Sequence, residues 1–259
     1  MYVRNVRGVC MVGGLLKFRD YFRNHTDSYV LIGGAACDIL FTENASDFRA
    51  TRDLDMVLIV EALTPEFAGK FWEFIIDGDY RHISGSTGKP QFYRFDKPQT
   101  EGFPKMIELF SRTDFELREN VGITPLHVDD DISSLSAILL DDNYYQILLN
   151  GKTIENGYSV LRPEYLVLFK AKAYLDLSAR KERGEKVDSS DIKKHKRDVL
   201  RLTAEMVLNP VTNLPQAVLD DIHLFIAKLD EEPFDDNSLK TYRTSTGQIT
   251  ERLERIFET

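Results

Sequence analysis

Two short runs made wholly of apolar residues, "YVLI" at 29–32 and "MVLIV" at 56–60, constrain this chain more than any other feature. A strand with one wet face alternates apolar and polar residues. An unbroken Val/Leu/Ile run therefore implies a strand covered on both faces, and so a sheet lying between layers of helix. The surrounding pattern switches to helical spacing: "LLKFRDYFRNH" repeats apolar residues at Leu15, Phe18 and Phe22, a short helix is expected from Ala35 to Phe41, and "FAGKFWEFII" follows the second run. "QFYRFD" and "PKMIELFSR" read as further strands, divided by a loop that holds Pro98, Gly102 and Pro104.

The second apolar run is entered through two acids, as "DLDMVLIV". Side chains alternate across a strand, so Asp53 and Asp55 project from one face while Leu54 and Met56 project from the other. Like charges held this close repel unless a cation bridges them. Mg²⁺ suits that place, because it takes oxygen ligands and keeps waters and substrate phosphates in its shell. Glu108 is the one acid inside "KMIELF", sharing a face with Met106 and Phe110, where an unpaired carboxylate is expensive to bury. Gly33 and Gly34 end the first run and open a helix, so that bare backbone N–H groups and a helix N-terminus can face an anion such as a triphosphate. Each signal has a plain alternative: a surface strand start for the aspartates, an edge-strand glutamate, an ordinary turn. Together they describe a metal-assisted phosphoryl-transfer site.

From about Asp129 the balance changes. "ISSLSAILL" reads as a helix, "YYQILLNGKTIENGYSVL" as a hairpin around Asn150-Gly151, and Pro163-Glu164 as the opening of a long helix. The rest, through "LPQAVLDDIHLFIAKLD" to "GQITERLERIF", is helical by period with acidic, loop-like interruptions, whereas the first ten residues fit no element, which makes Met11 a candidate start. The expected organisation is α/β (α+β): a mixed sheet flanked by helices over residues 1–128, and a hairpin plus mainly helical part over residues 129–259, closing over the cleft.

Composition narrows the class. No stretch reaches the roughly 18 apolar residues of a membrane span, and no signal-peptide pattern is present, so a cytoplasmic protein is expected. Cys10 and Cys37 are too few for a disulfide framework or a zinc site and read as free thiols. A net charge of −9 argues against a protein that coats nucleic acid through its overall charge. The segment Arg180–Arg201 is an exception, with nine Lys/Arg against five Asp/Glu. Taken alone it reads as a solvated helix face with its own ion pairs.

With Ile32-Gly33-Gly34 and Asp53-Leu54-Asp55 the chain resembles the nucleotidyltransferase superfamily, and most of all the AbiEii-type nucleotidyltransferases, the toxin halves of bacterial abortive-infection and toxin-antitoxin pairs. "RATRDLD" fits that family's Arg-x-Ser/Thr-x-Asp-x-Asp pattern with Arg49, Thr51, Asp53 and Asp55; "KAKA" fits Lys-x-x-Ala with Lys170 and Ala173; "KHKRD" approximates Lys-Asp-x-x-Asp with Lys194 and Asp198. The spacer between Gly34 and Asp53 is long for the superfamily signature, and His195 stands where the last motif usually has its first Asp.

The resemblance implies a nucleotidyltransferase-type sheet and transfer of a nucleoside monophosphate from an NTP to a hydroxyl acceptor. Asp53, Asp55 and Glu108 would hold Mg²⁺, with Glu108 alternatively drawing the acceptor's proton. Gly33, Gly34 and Thr51 would cradle the triphosphate, with Arg49, Arg52, Lys170 and Lys194 near it and Asp198 facing the site. The implied acceptor is RNA, such as a tRNA 3′ end, and the implied partner a cognate antitoxin; the basic segment would then hold RNA backbone. The rivals are a small-molecule acceptor, as in aminoglycoside enzymes, and a non-catalytic binding protein that keeps the fold.

Helical geometry weighs the last motifs separately. Lys170 falls in the stripe of Leu166, Phe169, Ala173 and Leu177, so it must snorkel, pair with an acid or face a cleft, while Lys172 points elsewhere. His195 lies in the stripe of Ile192, Val199 and Leu202 and reads as a core or boundary histidine; Asp198, at the stripe's edge, either pairs with Lys194 or faces the site.

Overall fold

The computed structural model describes residues 3–4, 10–11, 13–43, 53–81, 94–110, 117–119, 121–123 and 141–258. Arg49, Thr51 and Arg52, the expected helix "ISSLSAILL" and the residues "QFY" lie outside them. The chain divides into two compact units, one formed by residues 1–131 and 152–161, the other by residues 132–151 and 162–259.

The first unit is a mixed α/β layer structure. Strands β3 (Tyr29–Ile32), β4 (Asp53–Leu58), β5 (Arg94–Asp96), β6 (Met106–Phe110), β9 (Lys152–Glu155) and β10 (Tyr158–Leu161) form one sheet in the order β5-β6-β4-β3-β10-β9. β4 runs parallel to β6, and β10 parallel to β3; the other neighbours are antiparallel. Two short ribbons accompany it, β1 (Val3–Arg4) with β2 (Cys10–Met11) and β7 (Leu117–Glu119) with β8 (Val121–Ile123). Val3, Arg4 and Cys10 of the first ten residues, which match no element by pattern, thus enter a strand pair with Met11.

Helices α1 (Leu15–Phe22) and α3 (Pro65–Asp77) cover one face of the sheet through their aromatic rings. Phe18 and Phe22 pack on Tyr29 of β3 at 5.4 and 6.2 Å, and Phe71 packs on Phe95 of β5 at 5.6 Å. The Tyr21 hydroxyl adds a 2.5 Å hydrogen bond to Asp77, tying α1 to α3. α3 begins two residues before the expected "FAGKFWEFII", because Thr64 caps it and Pro65 occupies its first turn. Helix α2 (Gly33–Glu43) packs on β3 and β4, with Ala35, Ala36, Cys37 and Phe41 fully buried. Cys37 is a free, buried thiol.

The hairpin is displaced from its expected position. Residues Asp142–Gly151 form helix α4, burying Tyr144, Tyr145, Ile147, Leu148 and Gly151 at helical spacing, so Asn150-Gly151 ends a helix and makes no turn between strands. The turn falls at Asn156-Gly157, whose φ angles of 51° and 82° are the paired left-handed conformations that Asn-Gly hairpin turns adopt. β10 then inserts beside β3 (Val160 opposite Leu31), so the hairpin extends the sheet of the first unit.

The second unit is helical: α4, then α5 (Pro163–Glu182), α6 (Ser189–Glu205), α7 (Gln216–Glu231), α8 (Asp236–Tyr242) and α9 (Thr246–Phe257). α5 is buried nearly all round, which is why its sequence lacks a clean polar face, and it packs against α4, α6 and α7. α8, capped by Asp235, occupies what reads as a loop-like interruption; seven residues are too few to display a helical period. No described helix is long and apolar enough to cross a membrane.

Candidate functional site

The acids sit on the sheet face opposite α1 and α3. Leu54, Met56, Ile107 and Leu109 point to the buried side with Phe95, whereas Asp53, Asp55, Met106 and Glu108 alternate to the other and are half-buried. Further along that second face Val57 and Phe110 are buried again, so its half-buried positions on β4 and β6 lie at the start of the two strands.

Strand register assembles the site. In the parallel pair β4–β6, Asp55 stands opposite Glu108 and Asp53 opposite Met106. In the antiparallel pair β3–β4, Ile32 stands opposite Asp55, so the chain leaves β3 into Gly33 beside that carboxylate. The approach is close enough that a Cβ on Gly33 would lie 1.9 Å from Asp55 Oδ2, and Gly33 has φ +64°, a conformation that side chains disfavour. The glycine is thus required twice over, by backbone geometry and by the aspartate against it. Gly34, the next residue, lies within the first turn of α2.

Arg94 completes the row. It is opposite Glu108 in the antiparallel pair β5–β6, and its Nη2 and Nε donate to Glu108 Oε1 at 2.6 and 2.8 Å. Across three adjacent strands the sequence runs arginine, glutamate, aspartate, and one cation offsets part of the negative charge. Reading the sequence alone missed Arg94. The only local cue is an arginine on the same parity as Asp96 in a three-residue strand, and its partner is fixed by register.

Carboxylates are the donors Mg²⁺ takes, and Asp53, Asp55 and Glu108 fit it in donor chemistry. Among the described residues, no group of three or more His, Cys, Asp or Glu is arranged to hold a metal ion, in keeping with Glu108 Oε1 being held by Arg94.

The remaining candidates lie in the helical unit. Lys170 and Asp198 are brought to each other: Lys170 Nζ is 3.1 Å from Asp198 Oδ2, with 8% and 3% of the two side chains exposed. Of the three fates open to a lysine in an apolar stripe, Lys170 takes pairing, and Asp198 meets it in preference to Lys194, which is exposed. Lys172 points elsewhere, as its helical position implies, to Asp221 at 3.1 Å and Asp176 at 3.5 Å. Burial presses the Lys172 ammonium down, but the hydrogen bond to Asp221 and the charge of Asp176 outweigh it and hold the lysine above its ordinary range. His195 is half-buried at the helix boundary.

The basic segment is partly self-neutralised: Arg180 and Arg183 both pair with Glu185 at 2.7 Å, and Arg201 pairs with Glu205 at 2.7 Å. Lys186, Lys193, Lys194 and Arg197 are exposed. Compared with known proteins, the chain matches no family model, no curated protein and no solved structure.

Proposed function

We propose that the sheet unit carries a Mg²⁺-dependent nucleotidyltransferase site that moves a nucleoside monophosphate from an NTP to a hydroxyl acceptor, with RNA as the acceptor class. The observation that carries this reading is the convergence of Gly33, at the junction of β3 and α2, with Asp55 of β4 and Glu108 of β6, a glycine turn seated against a carboxylate that neighbours another. Asp53 and Asp55 would hold Mg²⁺, whose chemistry there is to neutralise the triphosphate and the oxygens entering and leaving phosphorus. The backbone N–H groups where β3 passes into α2 would face the phosphates.

In the reaction the acceptor oxygen forms a bond to the α-phosphorus, the bond from that phosphorus to the bridging oxygen breaks, and pyrophosphate leaves. Glu108 would take the acceptor's proton, its carboxylate held by the ion pair with Arg94. Lys170 and Asp198 enter as the clamp between α5 and α6. Exposed Lys186, Lys193, Lys194 and Arg197 support an RNA acceptor, because single strands are held largely by phosphate contacts. A tRNA 3′ end and a cognate antitoxin are the finer expectations that follow from the family resemblance.

The test is thermal denaturation with each NTP. A competent site raises the melting temperature with Mg²⁺ and NTP together, by mass action worth about 2.7 kcal/mol at a hundredfold excess over Kd, and less with NTP in EDTA. The double variant Asp53→Asn/Asp55→Asn should lose the Mg²⁺-dependent part; equal shifts in both proteins would remove the assignment.

A further inference from the structure

The helical unit contains a cavity of about 670 Å³ between the end of α5, one face of α6 and the connection from α7 to α8. It is large enough for a small ligand, the common range for such sites being roughly 300–1,000 Å³. α6 contributes Ser189, Ile192, Lys193, Lys196, Arg197 and Leu200, the spacing of a single helix face, so apolar and cationic side chains alternate along one wall. The floor is apolar: Tyr174, Leu200 and Phe234 are buried, and the Lys196 ammonium lies 5.6 and 5.7 Å from the two ring centres.

Four cations and three acids line the cavity, in a chain whose net charge is −9. The acids already have partners within the fold. Glu182 takes Lys228 at 3.4 Å, Glu232 accepts from the Tyr174 hydroxyl at 3.3 Å, and Asp235 caps α8 through Ser238 at 2.9 Å. Lys196 donates to the backbone carbonyls of Glu232 and Pro233, which carry no net charge. Burial holds its ammonium below the usual lysine range and outweighs the charges of Glu232 and Asp235, so a further anion in the cavity would favour the charged form. Lys193 and Arg197 reach the same space from the exposed side of the wall.

We infer that this cavity binds a nucleoside monophosphate unit, free or as part of an RNA strand, with the base on the apolar floor of Tyr174, Leu200 and Phe234 and the phosphate on Lys193, Lys196 and Arg197. Ser189 and Ser238 on the lining are already engaged, by Lys181 at 2.6 Å and Asp235 at 2.7 Å, so the rings of Tyr174 and Phe234 are what favours a base over an aliphatic anion. This inference stands apart from the transfer chemistry proposed for the sheet unit.

Calorimetric titration in EDTA tests it with four ribonucleoside 5′-monophosphates, a single-stranded tetranucleotide, adenosine and inorganic phosphate as probes. Wild type and Asp53→Asn/Asp55→Asn should bind the monophosphates alike, and Lys193→Glu/Arg197→Glu should bind them at least tenfold more weakly. Both altered side chains are exposed, and unchanged circular dichroism would verify that the second variant folds. Tighter binding of the tetranucleotide identifies a strand as the source, and tighter binding of the monophosphate a free nucleotide. No binding at millimolar concentration, phosphate binding as well as the nucleotide, or loss with the Asp53/Asp55 variant but not with Lys193→Glu/Arg197→Glu would overturn the assignment.

Discussion

At Gly33 a hydrogen atom stands where any other residue would place a carbon 1.9 Å from Asp55 Oδ2, at a φ of +64°. Gly33→Ala therefore meets two costs, about 1–2 kcal/mol for a side chain in the left-handed region and a further cost from displacing the aspartate. Urea denaturation should register the loss. Mg²⁺-dependent nucleotide binding should fall further than that stability change explains, because Asp55 is the group pushed aside. At Asp53 and Asp55 the sequence is informative for a physical reason: neighbouring carboxylates on one strand face repel, and the proposed reading answers that repulsion with a bridging cation. Arg94 carries no such signal. Its importance arises only when β5 and β6 pair and bring it to Glu108, fourteen residues along the chain.

Between elements, the buried pair Lys170–Asp198 holds α5 against α6. Lys170→Met removes the cation facing a buried carboxylate and should cost about 3–5 kcal/mol in chemical denaturation, while adding Asp198→Leu should restore most of it. A benign single variant would show that the contact does not hold the two helices.

Tyr21 ties α1 to α3 by its hydrogen bond to Asp77, which, with burial and the charge of Asp77, pushes the phenol up to about 12 from 10. A raised folded value means that the contribution is intact below pH 10 and is lost as pH rises toward 12, since the unfolded phenol ionises first. Tyr21→Phe should accordingly flatten the fall in melting temperature across that window; an unchanged slope would contradict the assignment.

Helices and buried strands were legible because period and apolar runs are local. The hairpin was not: two Asn-Gly pairs compete, and "YYQILLN" suits a strand until Tyr144, Ile147, Leu148 and Gly151 are seen to share a helix face. The pairing of β10 with β3 joins Val160 to Leu31, and so distant a partner leaves no mark in local sequence.

At the scale of the whole molecule, two compact units divide the charge and the chemistry. The sheet unit holds the row Arg94, Glu108, Asp55 with Gly33 against it, and the helical unit holds the exposed Lys186, Lys193, Lys194 and Arg197 of the basic segment. In the proposed reading, a net charge of −9 with a local basic segment would favour selective contact with an RNA phosphate chain over general attraction to nucleic acid. The central claim, that Asp53 and Asp55 form a transfer site, is tested most directly by incubating the protein with Mg²⁺, total cellular RNA and each α-labelled NTP. Wild type should move label into RNA and release pyrophosphate, and Asp55→Ala should fall to background. Label transferred equally by both proteins, or by neither with any NTP, would contradict it.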